Sequence, residues 1–144
     1  MHKPGSERTV ADVAVDLTLE CVDASGHHHQ IDTVLAYRAS DPYAVTMTFI
    51  TGEGDLTWTF GRDLLVHGVD RPVGDGDVRV APAISKAGRA VVDVELCSPD
   101  GHLVLQARTA DLIEFVERTT SLVPSGEESG HFDVDRLIAQ FLTV

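Results

Sequence analysis

The sequence predicts an α+β fold: a mostly antiparallel sheet, curled toward a partial barrel, with two C-terminal helices against one side. Three observations predict it. Apolar residues alternate with period two in successive runs as far as residue 107. Gly, Pro and Asp-Gly signals punctuate those runs. After residue 110 the period changes to that of a helix. Period two with one apolar face marks half-buried strands, and strands followed by trailing helices mark the α+β class.

Residues 1–9 are polar, contain Pro4 and Gly5, and are expected to fray. From residue 10 the alternation is strict, with Val13, Val15, Leu17, Leu19 and Cys21 opposed by Ala14, Asp16, Thr18 and Glu20. Residues 23–30 (DASGHHHQ) read as a turn. Residues 31–39 resume as a strand with Ile31, Thr33, Leu35 and Tyr37 inward. Ser40-Asp41-Pro42 breaks it, because proline cannot donate to a ladder and constrains the residue before it. Tyr43, Val45, Met47 and Phe49 form the inward face of a third strand, and Leu56, Trp58 and Phe60 that of its partner. The five residues 51–55 between them (TGEGD) read as a hairpin loop.

Residues 62–67 predict one short helix, with Leu64 and Leu65 inward and Gly68 as its terminator. Residues 69–77 read as loop. Three more strands follow at 78–84, 91–97 and 102–107, the last two joined by the turn Ser98-Pro99-Asp100-Gly101. Leu112, Phe115 or Val116, Thr119 and Leu122 then recur at helical spacing. Residues 123–131 are a Pro-Gly-Ser connector. Asp133 is placed to cap a closing helix with the apolar stripe Val134, Leu137, Ile138 and Phe141. That stripe serves either the core or a subunit seam.

The chain, 1–144, is expected to be one domain, and at 43% hydrophobic and 24% charged residues it is an ordinary globular composition. No window reaches the roughly 20 apolar residues of a membrane span. The N-terminus lacks the apolar core of a secretory signal, so a cytoplasmic location without membrane insertion is expected. The formal net charge is −12, from 23 acidic and 11 basic residues. Nucleic-acid affinity comes from Lys and Arg displacing counterions from phosphates. Here the cations are scattered singly along the chain, so neither nucleic acid nor anionic lipid is the expected partner.

The candidate chemical sites each have a plainer structural account. His27, His28 and His29 suggest a metal site, but three consecutive histidines in a turn cannot all face one ion, and no nearby cysteine adds a ligand. Asp70, Asp75 and Asp77 suggest a cation loop without the spacing of a calcium-binding motif. Cys21 and Cys97 read as free thiols at strand ends. His67, His102 and His131 are isolated. No nucleophile elbow, phosphate loop or dinucleotide fingerprint is present. The expectation is therefore no catalytic residue, no cofactor and no metal. Trp58, Arg62 and Asp63 are the remaining candidates. Trp58 suits the core, and Arg62 with Asp63 suits a local ion pair or helix cap. Trp and Arg are also over-represented at binding hot spots, which makes the three a candidate partner-binding surface.

Several segments, in this order and spacing, resemble the SsgA-like proteins, regulators of sporulation-specific cell division in actinomycetes. They are LAYRASDPYAVTMTF (35–49), WTFGRDLLVHGVDRPVGDGDVRV (58–80), VELCSPDG (94–101), and the tail from residue 110 through VPSGE (123–127) to FDVDRLIAQFL. The resemblance spans roughly residues 10–142. Departures are Gly61 and Ala81, where the family usually has Ala and Trp, besides the histidine turn.

The resemblance implies a non-enzymatic protein that helps position or assemble division septa. It implies a homotrimer of Whirly-like subunits that is recruited to septa. Its implied partners are the tubulin-like division protein FtsZ and other SsgA-like paralogues. Whirly proteins bind single-stranded nucleic acid, which makes such a module the alternative reading. Three chains at −12 each carry about −36, a charge that phosphates avoid.

Overall fold

The computed structural model describes residues 10–23 and 25–130, together with Ile138. Its order is β1 (Val13–Val22), β2 (His28–Arg38), β3 (Asp41–Thr51), β4 (Gly54–Gly61), α1 (Arg62–Gly68), β5 (Val73–Asp75), β6 (Val78–Ile84), β7 (Ala90–Ser98), β8 (Gly101–Arg108) and α2 (Thr109–Leu122), followed by a 3-10 turn at Glu128–Gly130. The eight strands form one antiparallel sheet in the order β4-β3-β2-β1-β8-β7-β6-β5. Two four-stranded meanders thus meet at the β1–β8 seam. α1 carries the chain from one outer edge to the other.

That connection requires the curl. α1 is seven residues long, about 10 Å of helix. It nevertheless contacts β3 and β4 at one end of the sheet and β5 and β6 at the other. In a flat sheet the two edge strands would lie about 34 Å apart. The sheet therefore bends round into a half-barrel, with α1 between its edges and α2 against β1, β7 and β8.

The concave face carries the core. Leu19, Leu35, Met47, Val80, Val94 and Leu105 from the sheet close on Leu64 and Leu65 of α1 and on Leu112 and Phe115 of α2. Each fully buried side chain of this kind contributes about 1.5–3 kcal/mol. The inward positions read from the alternation are buried through most of β1, β2 and β3.

Several boundaries differ from the sequence reading. β2 starts at His28, because Glu20–Val22 extend β1 and pair with His28–Gln30; only the residues before His28 turn. The hairpin before β4 has two central residues, since Thr51 pairs with Gly54, whose φ is 121°. Asp41 and Pro42 open β3 rather than separating it from β2. Extra β3 residues opposite Ala36–Arg38 shift the register, so Pro42 is buried and Tyr43 is 51% exposed instead of inward. The 69–77 loop contains a strand, β5, paired with β6 and turned by Gly76 at φ 59°.

The two described helices lie where the sequence places them, the short one after β4 and the longer one after the last strand. On α2, Leu122 is exposed and Val123 takes the buried position, because the helix ends there and the chain turns inward. The predicted closing helix at 133–141 falls outside the described residues, apart from Ile138.

Gly68 is the last residue of α1, as the sequence suggested, and it is buried without a left-handed conformation; a Cβ there would lie 2.3 Å from Val80 Cγ1 and 2.6 Å from Val80 Cβ. The glycine allows helix and sheet to touch. Gly68→Ala should lower stability by about 1–3 kcal/mol through overpacking, more than the helix-propensity gain returns. A denaturant midpoint equal to or above that of the parent chain would refute this account.

Candidate functional site

The three candidates converge on the junction of β4 and α1, but they face different ways. Arg62 opens α1 and is 1% exposed. Its Nη1 donates to the carbonyls of Thr119 (3.1 Å) and Val123 (2.6 Å), and its Nη2 to Glu128 Oε2 (2.7 Å). The guanidinium stands 5.0 Å from the centre of the Tyr37 ring. Tyr37 in turn donates its hydroxyl to the Pro42 carbonyl at 2.9 Å. One cation therefore ties α1, β2, the C-terminus of α2 and the 3-10 turn.

Each contact has a physical reason. The last carbonyls of a helix carry the negative end of its dipole, so a cation belongs there; the Thr119 carbonyl accepts from Arg62 in addition to the Val123 N–H. Glu128 is buried, and its other oxygen accepts from the Gly126 N–H at 2.9 Å. The bond from Arg62 is the first cause holding the Glu128 carboxyl below the usual range. Burial pushes the Tyr37 hydroxyl up, partly opposed by the Arg62 charge. Arg62 Nε has no hydrogen-bond partner among the described residues.

The local Arg62–Asp63 pair allowed by the sequence is replaced by this long-range one. One signal was legible: Arg62 lies three residues before buried Leu65, on the helix face that packs inward.

Asp63 is exposed on α1. Trp58 is half-buried, packed against the core from β4 and opposite Met47. Leu56, on the same face of β4 and opposite buried Phe49, is 62% exposed, so this end of β4 projects beyond the core. Among the described residues β4 is also an outer strand, eight residues long. The other edge, β5, is only three residues long. Short edge strands resist pairing, whereas a long edge beside exposed apolar side chains is a ready surface for another chain.

The remaining candidates are dispersed. Asp23 accepts bonds from the Ser25 hydroxyl (2.7 Å), the Ser25 N–H (2.9 Å) and the His27 N–H (2.9 Å), closing the turn on itself. These bonds and its contact with His29, led by the Ser25 hydroxyl, hold its carboxyl well below the ordinary value. His29 Nε2 lies 2.9 Å from Asp23, His28 Nδ1 lies 3.0 Å from Glu20, and His27 Nδ1 lies 2.7 Å from Ser25. The three rings do not converge on one point: His28 turns to Glu20, while His29 and, at 4.0 Å, His27 flank Asp23. Asp70, Asp75 and Asp77 are all exposed around β5. Cys21 and Cys97 are free thiols.

The cations, scattered in sequence, are less so in space. Pairing of Val91 with Arg108 brings Arg108 beside the β6–β7 turn, where Lys86 and Arg89 line the same groove of about 670 Å3. Glu20 and His28 share it.

The profile of the family described as "Streptomyces sporulation and cell division protein, SsgA" matches residues 31–128. This chain belongs to the SsgA family. It is 40% identical to the sporulation-specific cell division protein SsgB of Kineococcus radiotolerans, covering 97% of this chain and 86% of that protein. Two solved SsgA-family structures superpose on it. One is from work on SsgB mutations that correlate to longitudinal cell division during sporulation of Streptomyces coelicolor. It gives a TM-score of 0.78 at 44% identity, covering 83% of this chain and 94% of that one. The other, an SsgA-like sporulation-specific cell division protein from Thermobifida fusca, gives 0.80 at 34% identity, covering 90% and 94%. A role in sporulation cell division follows for this SsgA-family member.

Arg62→Ala should cost about 3–5 kcal/mol, because it leaves Glu128 buried without its partner. Arg62→Lys should recover only part, since one ammonium does not reproduce the fork. The pH test uses Glu128→Gln. A carboxyl whose folded-state value is depressed contributes fully above its ordinary value of 4.5, and the contribution is lost as pH falls through the lower folded value. The stability gap between the parent chain and Glu128→Gln should therefore be constant above pH 4.5 and shrink below it. A gap that does not change with pH would show that the ion pair contributes nothing.

Proposed function

We propose that this protein is a non-enzymatic adaptor that helps position or assemble sporulation septa by recruiting division proteins, the tubulin-like FtsZ among them. The observation that carries this reading is the exposed β4 edge. Among the described residues it is an outer strand with protruding Leu56 and half-buried Trp58, followed on α1 by exposed Asp63. Arg62 supports this surface from beneath by fixing α1, rather than by contacting the partner. The subunit is Whirly-like and assembles as a homotrimer, in which other SsgA-like paralogues are further partners. No described helix is long and apolar enough to cross a membrane, and the protein works from the cytoplasm, brought to septa by its partners.

A second reading, a module binding single-stranded nucleic acid, has one observation in its favour: Lys86, Arg89 and Arg108 share a groove. Binding there would weaken steeply with salt. Glu20 in the same groove and a chain charge of −12 weigh against it.

Sedimentation equilibrium separates the two readings. The chain should sediment as a trimer and co-sediment with FtsZ, while a fluorescent single-stranded oligonucleotide stays unbound at physiological salt. Leu56→Lys, at a largely exposed position, should change stability by no more than about 0.5 kcal/mol yet abolish assembly or co-sedimentation. A monomer that ignores FtsZ, or a Leu56→Lys chain that behaves like the parent, would refute the edge-strand adaptor.

A further inference from the structure

We infer that Glu95, Cys97 and His102 form a binding site for a borderline-soft divalent cation, zinc in type, on the outer face of the β7–β8 hairpin. In sequence the three look unrelated. In the sheet, Glu95 and Cys97 are two residues apart on β7 and so share a face, while His102 is the direct cross-strand partner of Cys97. One ligand atom from each lies within 4.8 Å of the others. Tetrahedral coordination at zinc's bond lengths needs separations of about 3.3–3.8 Å, so the thiol has to draw in while His102 and Glu95, already in contact, part to admit the ion.

The backbone beneath them is firmly held. β7 pairs on both sides, with β6 and β8, and the Cys97 N–H donates to the Asp77 carbonyl at 2.8 Å. Ligands mounted on paired strands keep their relative positions better than ligands on loops. His102 Nε2 already contacts Glu95 Oε2, so a ligating nitrogen and oxygen are side by side before any ion enters. The other Glu95 oxygen faces Arg79 Nε at 3.9 Å, which can orient the carboxylate from outside the site.

The donor set selects the ion. A thiolate with an imidazole favours zinc or cobalt over calcium and magnesium, which prefer oxygen alone. Thiolate and carboxylate together balance the two charges of the ion. Three protein ligands leave a fourth position for water or for a group from another molecule. The histidine turn differs: although Cys21 pairs with His29 across the strands, no three ligand atoms come together there among the described residues.

The test is titration of the full, tag-free, reduced chain with cobalt alone, followed by absorbance. One equivalent should produce a thiolate-to-cobalt charge-transfer band and the intense visible bands of four-coordinate cobalt, and zinc should displace both. Cys97→Ser should abolish the charge-transfer band. His102→Ala and Glu95→Gln should weaken binding by more than about tenfold, beyond what loss of an outer-shell partner causes. Cys21→Ser and the triple variant His27→Ala, His28→Ala, His29→Ala should leave the spectrum unchanged. If Cys97→Ser loses its fold by circular dichroism, His102→Ala, at an exposed position, carries the test alone. The proposal is overturned if the parent chain shows no thiolate band, if the band survives loss of Cys97, if loss of His102 leaves the cobalt affinity unchanged, or if the band disappears with the histidine turn.

Discussion

The buried charge of Arg62 is the constraint around which the subunit closes. A guanidinium at 1% exposure is tolerated only if its donors find acceptors, and those acceptors come from far along the chain. Thr119 and Val123 are available because α2 ends there, and Glu128 because the chain then turns back beneath β3. Replacing such a pair by a well-packed apolar group can be neutral, whereas removing one partner is costly. The arrangement therefore specifies one way of seating α2 and the 3-10 turn against α1.

The curl of the sheet follows from the same junction. A seven-residue helix that touches both outer strands draws the edges of the sheet together, and Gly68 lets it do so at contact distance from Val80. Among the described residues closure is incomplete, and β4 and β5 are the outer strands. β5 is short, whereas β4 is long and carries Leu56 out past the core. Among the described residues the longer outer strand thus lies on a side that also presents apolar surface.

Polar groups elsewhere are handled locally. Asp23 closes its own turn and contacts His29, His28 turns to Glu20, and Gln106 donates to Asp93 across β7 and β8 at 2.9 Å. The β7–β8 hairpin is different in kind, because it gathers a thiol, an imidazole and a carboxylate on one outward patch. Strand pairing likewise collects Lys86, Arg89 and Arg108, which sequence order keeps apart.

The sequence by itself determined most strands, both described helices and the inward face of β1 and β2. Period-two and helical spacing are local properties, and burial of one face follows from them directly. It also marked the β4–α1 junction as the place to look. Tertiary structure alone decided what those residues do. Tyr43 left the core because extra residues on β3 shift its register, and β5 formed because β6 supplied a partner to an otherwise featureless segment. Arg62 became an interior residue because α2 and Glu128 arrive some sixty positions later with acceptors in hand. Cys97 and His102 became neighbours because two strands pair in one register. Each depends on which distant segments meet, and that is settled by packing and hydrogen-bond satisfaction rather than by local pattern.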